Sequence, residues 1–243
     1  MDNKVQAIGV LTSGGDAPGM NAAIRAVVRA GIAKGIRVMG IRKGYNGLLK
    51  GEIEELTTRS VSDIVQRGGT ILQTARCKEF VKPEVQQHGA DMCKKFGIDG
   101  LVVIGGDGSF MGAEKLANLG INAIGIPGTI DLDIACTEYT IGFDTAVNTA
   151  MDAINKLRDT STSHQRCSIV EVMGRNAGYI ALWCGITSGS EMILIPEKQR
   201  PSDEEIIKRI SDSKKQGKQH YLIIVAEGVG GSEQLAKKIE EAT

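Results

Sequence analysis

The sequence predicts an α/β protein of two lobes, each with a mainly parallel sheet sandwiched by helices. Three observations predict it. Short apolar runs rich in β-branched residues alternate with amphipathic stretches along all 243 residues, the pattern of βαβ units. Glycine and polar clusters recur where those runs end, in a chain that carries 31 glycines. One run, Leu101-Val102-Val103-Ile104, is unbroken, as a strand buried on both faces of a parallel sheet requires.

The elements follow in order. Residues 5–12 read as a strand that runs into the cluster 13–19, and residues 20–34 as the helix after it. A strand at 37–41 precedes a helical pattern at 61–67, and helix 84–96 leads into strand 100–104. The turn at 105–109 then opens helix 111–119, and strand 123–126 ends in the polar loop 127–133. A long helix at 145–160 marks the lobe boundary, giving lobes of 1–140 and 141–243. Strands at 168–173, 192–195 and 221–226 alternate with helices at 179–187, 203–215 and 232–241 in the second lobe. Its polar clusters fall at 174–178 and 227–231, again after strands. The last stretch, 237–243, reads as a helix without a cap glycine or a closing strand. Both lobes are predicted to be Rossmann-like, with ligands at the carboxyl edge of each sheet.

Bulk properties exclude several functions. Lys and Arg number 29 and Asp and Glu 29, so no long-range field favours nucleic acid or an anionic membrane. No apolar stretch approaches the ~20 residues of a membrane span, and the start MDNK is not a signal peptide. The five cysteines (Cys77, Cys93, Cys136, Cys167, Cys184) form no CxxC pair. That argues against a zinc site and a disulfide framework and predicts a cytoplasmic protein.

The chemistry concentrates in three glycine-bearing loops. Gly105, Gly106 and Gly108 strip side chains from a strand end, so an anion can approach the amide N–H groups and the next helix N-terminus. An acid in a phosphate cradle is unfavourable without an intervening cation, so Asp107 reads as a Mg²⁺-phosphate handle. The structural alternative is a tight turn with Asp107 as N-cap. The segment Thr12 to Asn21 offers a second anion nest, with three glycines and two hydroxyls opening a helix. It is no Walker A loop, since no GK[ST] occurs, and no dinucleotide fingerprint, since Met111 stands where the third glycine belongs. A third loop, Gly125 to Asp133, places Asp131 and Asp133 two residues apart. Such acids can divide metal binding from proton acceptance, or can form a solvated Asx-turn.

The motifs TSGGDAPGMNAAIR, GGTILQTARCKEF, VVIGGDGS, PGTIDLDI, TIGFDTAVNT, TSHQR, EVMGRNAGY and VAEGVG occur in that order. Together they closely resemble the bacterial ATP-dependent 6-phosphofructokinases, from Ile8 to about Thr243. The resemblance implies transfer of the γ-phosphoryl of ATP to the 1-hydroxyl of fructose 6-phosphate, with Mg²⁺. It implies that Gly15, Arg76, Cys77, Gly106, Gly108 and Ser109 line the ATP site and that Asp107 holds the metal. It implies Asp131 as the base, with Thr129 positioning the transferred group, Asp133 supporting the loop, and Arg76 stabilising the moving phosphoryl. Met173, Gly174, Arg175 and Glu227 are implied to hold the sugar, and Arg166 the 6-phosphate from a neighbouring subunit. Family members that use pyrophosphate resemble GGDDS and PKTIDND. Gly108 and Gly128 stand at those positions here, which favours ATP. A homotetramer with an effector site for ADP and phosphoenolpyruvate is implied as well, built from Arg25, Arg29, Asp63, Arg158, Gly189, Glu191 and Lys218.

The sequence departs from the family pattern in places. Leu132 replaces the usual Asn between the two acids, and Glu138 replaces Asp. Thr58 and Gln216 stand where basic residues are common. The family also continues past this point into an ETR arginine and an H-x-QRGG stretch. The expectation is therefore poor turnover for residues 1–243 alone, and a non-catalytic nucleotide-binding or truncated inactive form is the alternative. A lipid or NAD kinase, which also uses GGDG-type turns, is disfavoured by TIDLD, MGR and the first nest.

Overall fold

A computed structural model describes residues 5–135 and 137–242, which leaves Cys136, the MDNK start and Thr243 outside the described residues. The chain falls into two compact units, Met1–Gly142 and Phe143–Thr243.

The first unit holds a six-stranded sheet in the order β3-β2-β1-β4-β5-β6. Its strands are β1 (Ala7–Ser13), β2 (Arg37–Ile41), β3 (Ile53–Leu56), β4 (Gly100–Gly105), β5 (Asn122–Thr129) and β6 (Ile141–Gly142). All neighbours run parallel except β2 and β3. Period-2 alternation sends Leu11, Leu101 and Val103 to one face and Val10 and Ile104 to the other. On the second face α1 (Met20–Ala33) buries Met20, Ile24 and Val28, spaced one helical turn apart. The first face is covered by α2 (Gly44–Lys50), α3 (Pro83–Lys95) and α4 (Asp107–Asn118) through Leu48, Ala90, Cys93, Ala113 and Leu116. Tyr45 stacks on Phe80 in the same cluster, with ring centroids 4.2 Å apart.

Two expectations need correction, and one unassigned segment gains structure. Residues 61–67 form turns, not a helix. Val61 and Ile64 are buried three apart as a helix would place them, but Asp63 is left-handed at φ 53° and breaks the run. Residues 44–56, to which the sequence assigns no element, supply α2 and the antiparallel β3. Left-handed residues at both ends of α2, Lys43 (φ 55°) and Gly51 (φ 72°), make it short and turn-like in sequence. Helix α4 starts at Asp107, four residues before the expected 111, because Ser109 and Gly112 already belong to its buried face.

Strand β1 is held at its start by Asp99, whose Oδ2 accepts the N–H groups of Gln6 (2.7 Å) and Ala7 (3.0 Å). The Ala7 bond first, then the Gln6 bond, draws the Asp99 carboxyl below the usual aspartate value. A depressed folded pKa means that the stabilisation is full above the unfolded value of about 3.9 and lost as pH falls through the lower folded value. Asp99→Asn is therefore expected to destabilise the protein at neutral pH and to flatten its acid denaturation below about pH 4. Equal melting of both forms at pH 7 would remove this role.

The second unit begins with α5 (Phe143–His164), 22 residues long rather than the expected 145–160. Its three-stranded parallel sheet has the order β7-β9-β8: β7 (Cys167–Val172), β8 (Met192–Leu194) and β9 (Tyr221–Ala226). All six β9 residues are buried, as the central strand demands. Helix α6 (Tyr179–Ser188) follows β7, and α7 (Asp203–Lys215) and α8 (Ser232–Ala242) contribute Ile206, Ile210, Leu235 and Ile239 to the core. A capping box starts α7: the Ser202 hydroxyl accepts from Glu205 N, and the Glu205 carboxylate accepts from Ser202 N.

Candidate active site

The carboxyl ends of β1 and β4 lie side by side, with Ser13 in register with Gly105. The connection from β1 runs to β2 on one side, and the chain later crosses back to place β4 on the other; at such a switch point the strand ends splay into a crevice. The two glycine turns meet there. Ser109 Oγ donates to the Ser13 carbonyl at 3.0 Å and ties the first turn of α4 to the end of β1. Tyr45 Oη donates to the Ser109 carbonyl at 2.6 Å from below, where burial holds the phenol far above its ordinary pKa. Gly14 is left-handed at φ 91°, and the space that side chains at Gly15 and Gly108 would enter is empty to 4 Å. Asp107 is the first helical residue and not the N-cap; Gly106 is, and no side chain caps the helix. The exposed Asp107 carboxylate is thus left to face outward beside uncapped amide N–H groups.

The third loop joins this pair. Pro127 is in register with Gly105, and Thr129 Cβ lies 3.7 Å from where a side chain on Gly106 would begin. Thr129 Oγ1 accepts the Asp131 N–H at 3.2 Å, and Thr140 Oγ1 donates to the Thr129 carbonyl at 2.7 Å. The base candidate therefore sits, half-buried, on a turn fixed at Thr129, with Asp133 exposed beyond it. Leu132 between them is left-handed at φ 56°. That conformation costs an ordinary L-residue roughly 1–2 kcal/mol and is tolerated better by Asn. Leu132→Asn is expected to stabilise by about 1 kcal/mol, read as a melting temperature raised by roughly 2–4 °C. A lowered melting temperature would overturn this reading.

Arg76 is exposed at the end of the irregular stretch 67–77, its carbonyl held by Asn46 Nδ2 at 3.3 Å. Cys77 is half-buried and packs against the core cluster of α2 to α4. Burial pushes the Cys93 and Cys167 thiols up to about 11, and neither is a nucleophile at neutral pH.

In the second unit Met173, Gly174, Arg175 and Glu227 come together at the carboxyl ends of β7 and β9. The Glu227 carboxylate accepts the N–H groups of Gly174 (3.2 Å) and Arg175, in a turn made by two positive-φ residues. Glu197 Oε1, which sequence reasoning missed, accepts the Gly178 N–H at 2.7 Å and closes the same loop. Arg166 stands apart. It precedes β7, whereas Met173 follows it, so the two lie roughly 20 Å apart along the strand.

The residues carried over for an effector divide between the units. Arg25 Nη1 donates to the Val61 carbonyl at 2.7 Å, beside left-handed Asp63, and Arg29 is exposed one turn on. In the second unit Arg158 Nη1 donates to the Ser188 carbonyl at 2.7 Å, next to Gly189, the left-handed C-cap of α6. Glu191 accepts the Leu222 N–H and pairs with Lys218.

The family model described as phosphofructokinase matches residues 7–243. The chain belongs to the phosphofructokinase family. It is 64% identical over 239 residues to an ATP-dependent 6-phosphofructokinase of Clostridium botulinum (strain Hall), covering 98% of this chain and 75% of that protein. A second relative of the same description, from Clostridium acetobutylicum, is 63% identical over the same shares. Among solved structures, phosphofructokinase from Saccharomyces cerevisiae superposes with a TM-score of 0.85 at 36% identity, over 98% of this chain and 36% of that one. A pyrophosphate-dependent phosphofructokinase from Marinobacter aquaeolei is 23% identical with a TM-score of 0.79, over 92% of this chain and 61% of that one, and shares the fold. The mainly parallel sheet flanked by helices thus matches the phosphofructokinase fold.

Among the described residues no three His, Cys, Asp or Glu side chains gather into a metal cage. A lone exposed carboxylate beside a phosphate nest is nonetheless what Mg²⁺ uses, since it keeps several waters and takes phosphate oxygens as its other ligands. Asp107 fits that donor set. Also among the described residues, no helix is long and apolar enough to cross a membrane.

Proposed function

We propose that this phosphofructokinase-family protein transfers the γ-phosphoryl group of ATP to the 1-hydroxyl of fructose 6-phosphate, with Mg²⁺, in the cytoplasm. The observation that carries this is the 64% identity to ATP-dependent 6-phosphofructokinases. The meeting of two glycine turns, Asp107 and the Asp131 loop at one sheet edge supports it. The empty space at Gly108, where the pyrophosphate-using pattern has an acid, supports ATP as donor. The identity favours the enzyme over a non-catalytic binding subunit.

Gly15, Gly106, Gly108 and Ser109 receive the phosphates on backbone N–H groups and the N-terminus of α4. Asp107 would hold Mg²⁺, which when bound would supply positive charge to offset that developing on the transferred phosphoryl group. Arg76 donates paired hydrogen bonds to the moving phosphoryl, and Thr129 positions it. Asp131 accepts the proton of the sugar 1-hydroxyl as that oxygen attacks the γ-phosphorus; the O–P bond to ADP breaks, and ADP leaves. Glu227, through its remaining acceptor oxygen, and Met173, Gly174 and Arg175 hold the sugar. Arg166, far from that group within its own chain, grips the 6-phosphate of a neighbouring subunit in a homotetramer. ADP and phosphoenolpyruvate act as effectors at Arg25, Arg29, Asp63, Arg158, Gly189, Glu191 and Lys218. Arg25, Arg158, Glu191 and Lys218 exchange their present partners for the ligand.

The test is a coupled assay of the full-length protein that follows ADP release with and without fructose 6-phosphate. Sugar-dependent release is expected. ATP turnover indifferent to the sugar would end this reading.

A further inference from the structure

The stretch 67–77 carries Arg76 yet has no helix or strand of its own, so its backbone needs partners elsewhere. It finds most of them on the elements that carry the first glycine turn. Asn21, 2% exposed on the first turn of α1, donates through Nδ2 to the carbonyls of Arg67 (3.1 Å) and Gly68 (3.2 Å). Its Oδ1 accepts the Ile71 N–H at 2.8 Å. The buried Thr12 hydroxyl on β1 meets Thr70 Oγ1 at 2.9 Å and donates to the Gln73 carbonyl at 2.9 Å. Lys43 N donates to the Leu72 carbonyl at 2.8 Å. Two residues before Arg76, Thr74 Oγ1 donates to the Gly14 carbonyl at 2.8 Å, and Asn46 Nδ2 on α2 donates to the Arg76 carbonyl itself at 3.3 Å. Every anchor before residue 74 fixes the base of the loop. Among the described residues, the Thr74 hydroxyl is what bonds its arginine-bearing end to the Gly14–Gly15 turn.

We propose that Thr74 is a positioning residue that sets Arg76 against the first glycine turn through its bond to the Gly14 carbonyl, and so governs nucleotide affinity. The proposal rests on the reading of Arg76 as a phosphate ligand. A guanidinium on a loose loop must be ordered by each nucleotide that binds, and a tethered one is ordered beforehand. The hydroxyl is the only part of Thr74 this requires.

Calorimetric titration of the full chain with β,γ-imido-ATP and Mg²⁺ tests it, on the parent, Thr74→Val, Thr74→Ser, Arg76→Ala and the Thr74→Val/Arg76→Ala pair. Thr74→Val keeps the side-chain volume and is expected to weaken binding about tenfold, while Thr74→Ser stays within about twofold. In the Arg76→Ala background the valine change is expected to cost less than about twofold, because the group it positions is gone. A valine variant that binds like the parent overturns the proposal. So does a valine penalty of equal size in both backgrounds, which would place the effect on the Gly15 turn instead. If the valine variant does not fold, Thr74→Ala takes its place in the same comparison. A parent that does not bind the nucleotide refutes the nucleotide reading itself, which separates the two failures.

Discussion

Asp131→Asn is expected to lower turnover by roughly 10²–10⁴-fold while nucleotide affinity stays within about twofold. The amide keeps the size and the acceptor oxygen of the side chain, and the Asp131 N–H still donates to Thr129 Oγ1, so the turn is preserved. What is lost is the ability to take a proton from the attacking hydroxyl. A neutral sugar alcohol is a poor nucleophile, and without a base the developing oxonium must shed its proton to water. The loss therefore falls on kcat and leaves both KM values near their parental level, as for an interaction made only in the transition state. Steady-state assays of parent and variant, with calorimetry for the nucleotide, read this directly. A near-parental kcat would remove Asp131 from the reaction and point to Asp133, the exposed acid of the same loop.

Much of this site was legible in the sequence because its parts are local. An unbroken β-branched run into Gly105-Gly106-Asp107-Gly108 declares a buried strand, a turn and an acid without any long-range information. The pairings that make the loops one site are not local. Ser109 reaches Ser13 across 96 residues, Asn21 reaches Ile71 across 50, and Glu227 reaches Arg175 across 52. Each depends on strand order and register, which hydrophobic periodicity does not encode. The same limit explains why the sequence assigns no element to 44–56 and misreads 61–67. Glu54 and Glu55 of β3 look like unpaired charge until Arg37 on β2 and Arg42 just after it are seen to pair with them. Val61 and Ile64 have helical spacing, yet what their stretch contributes is a carbonyl for Arg25.

Gly105→Ala tests the geometry on which all of this depends, and Gly108→Ala is its counterpart. A Cβ on Gly105 would stand 2.5 Å from the Ser13 carbonyl oxygen and 2.6 Å from Ser109 Oγ. Neither can yield cheaply: one is strand backbone, and the other is the hydroxyl that binds it. The methyl group must part β1 from β4 or push α4 outward, an overpacking expected to cost about 1–3 kcal/mol. In a chain of this size that is a melting temperature lowered by several degrees. Because the same shift separates the two glycine turns, nucleotide affinity is expected to fall by more than about tenfold. Gly108 differs, since its missing side chain would meet nothing within 4 Å. Gly108→Ala is expected to melt like the parent and still bind nucleotide more weakly, its methyl group filling space the phosphates need. Melting curves and calorimetry on the pair separate the two cases. If Gly105→Ala melts and binds as the parent does, the close apposition of the β1 and β4 turns is not what builds the site.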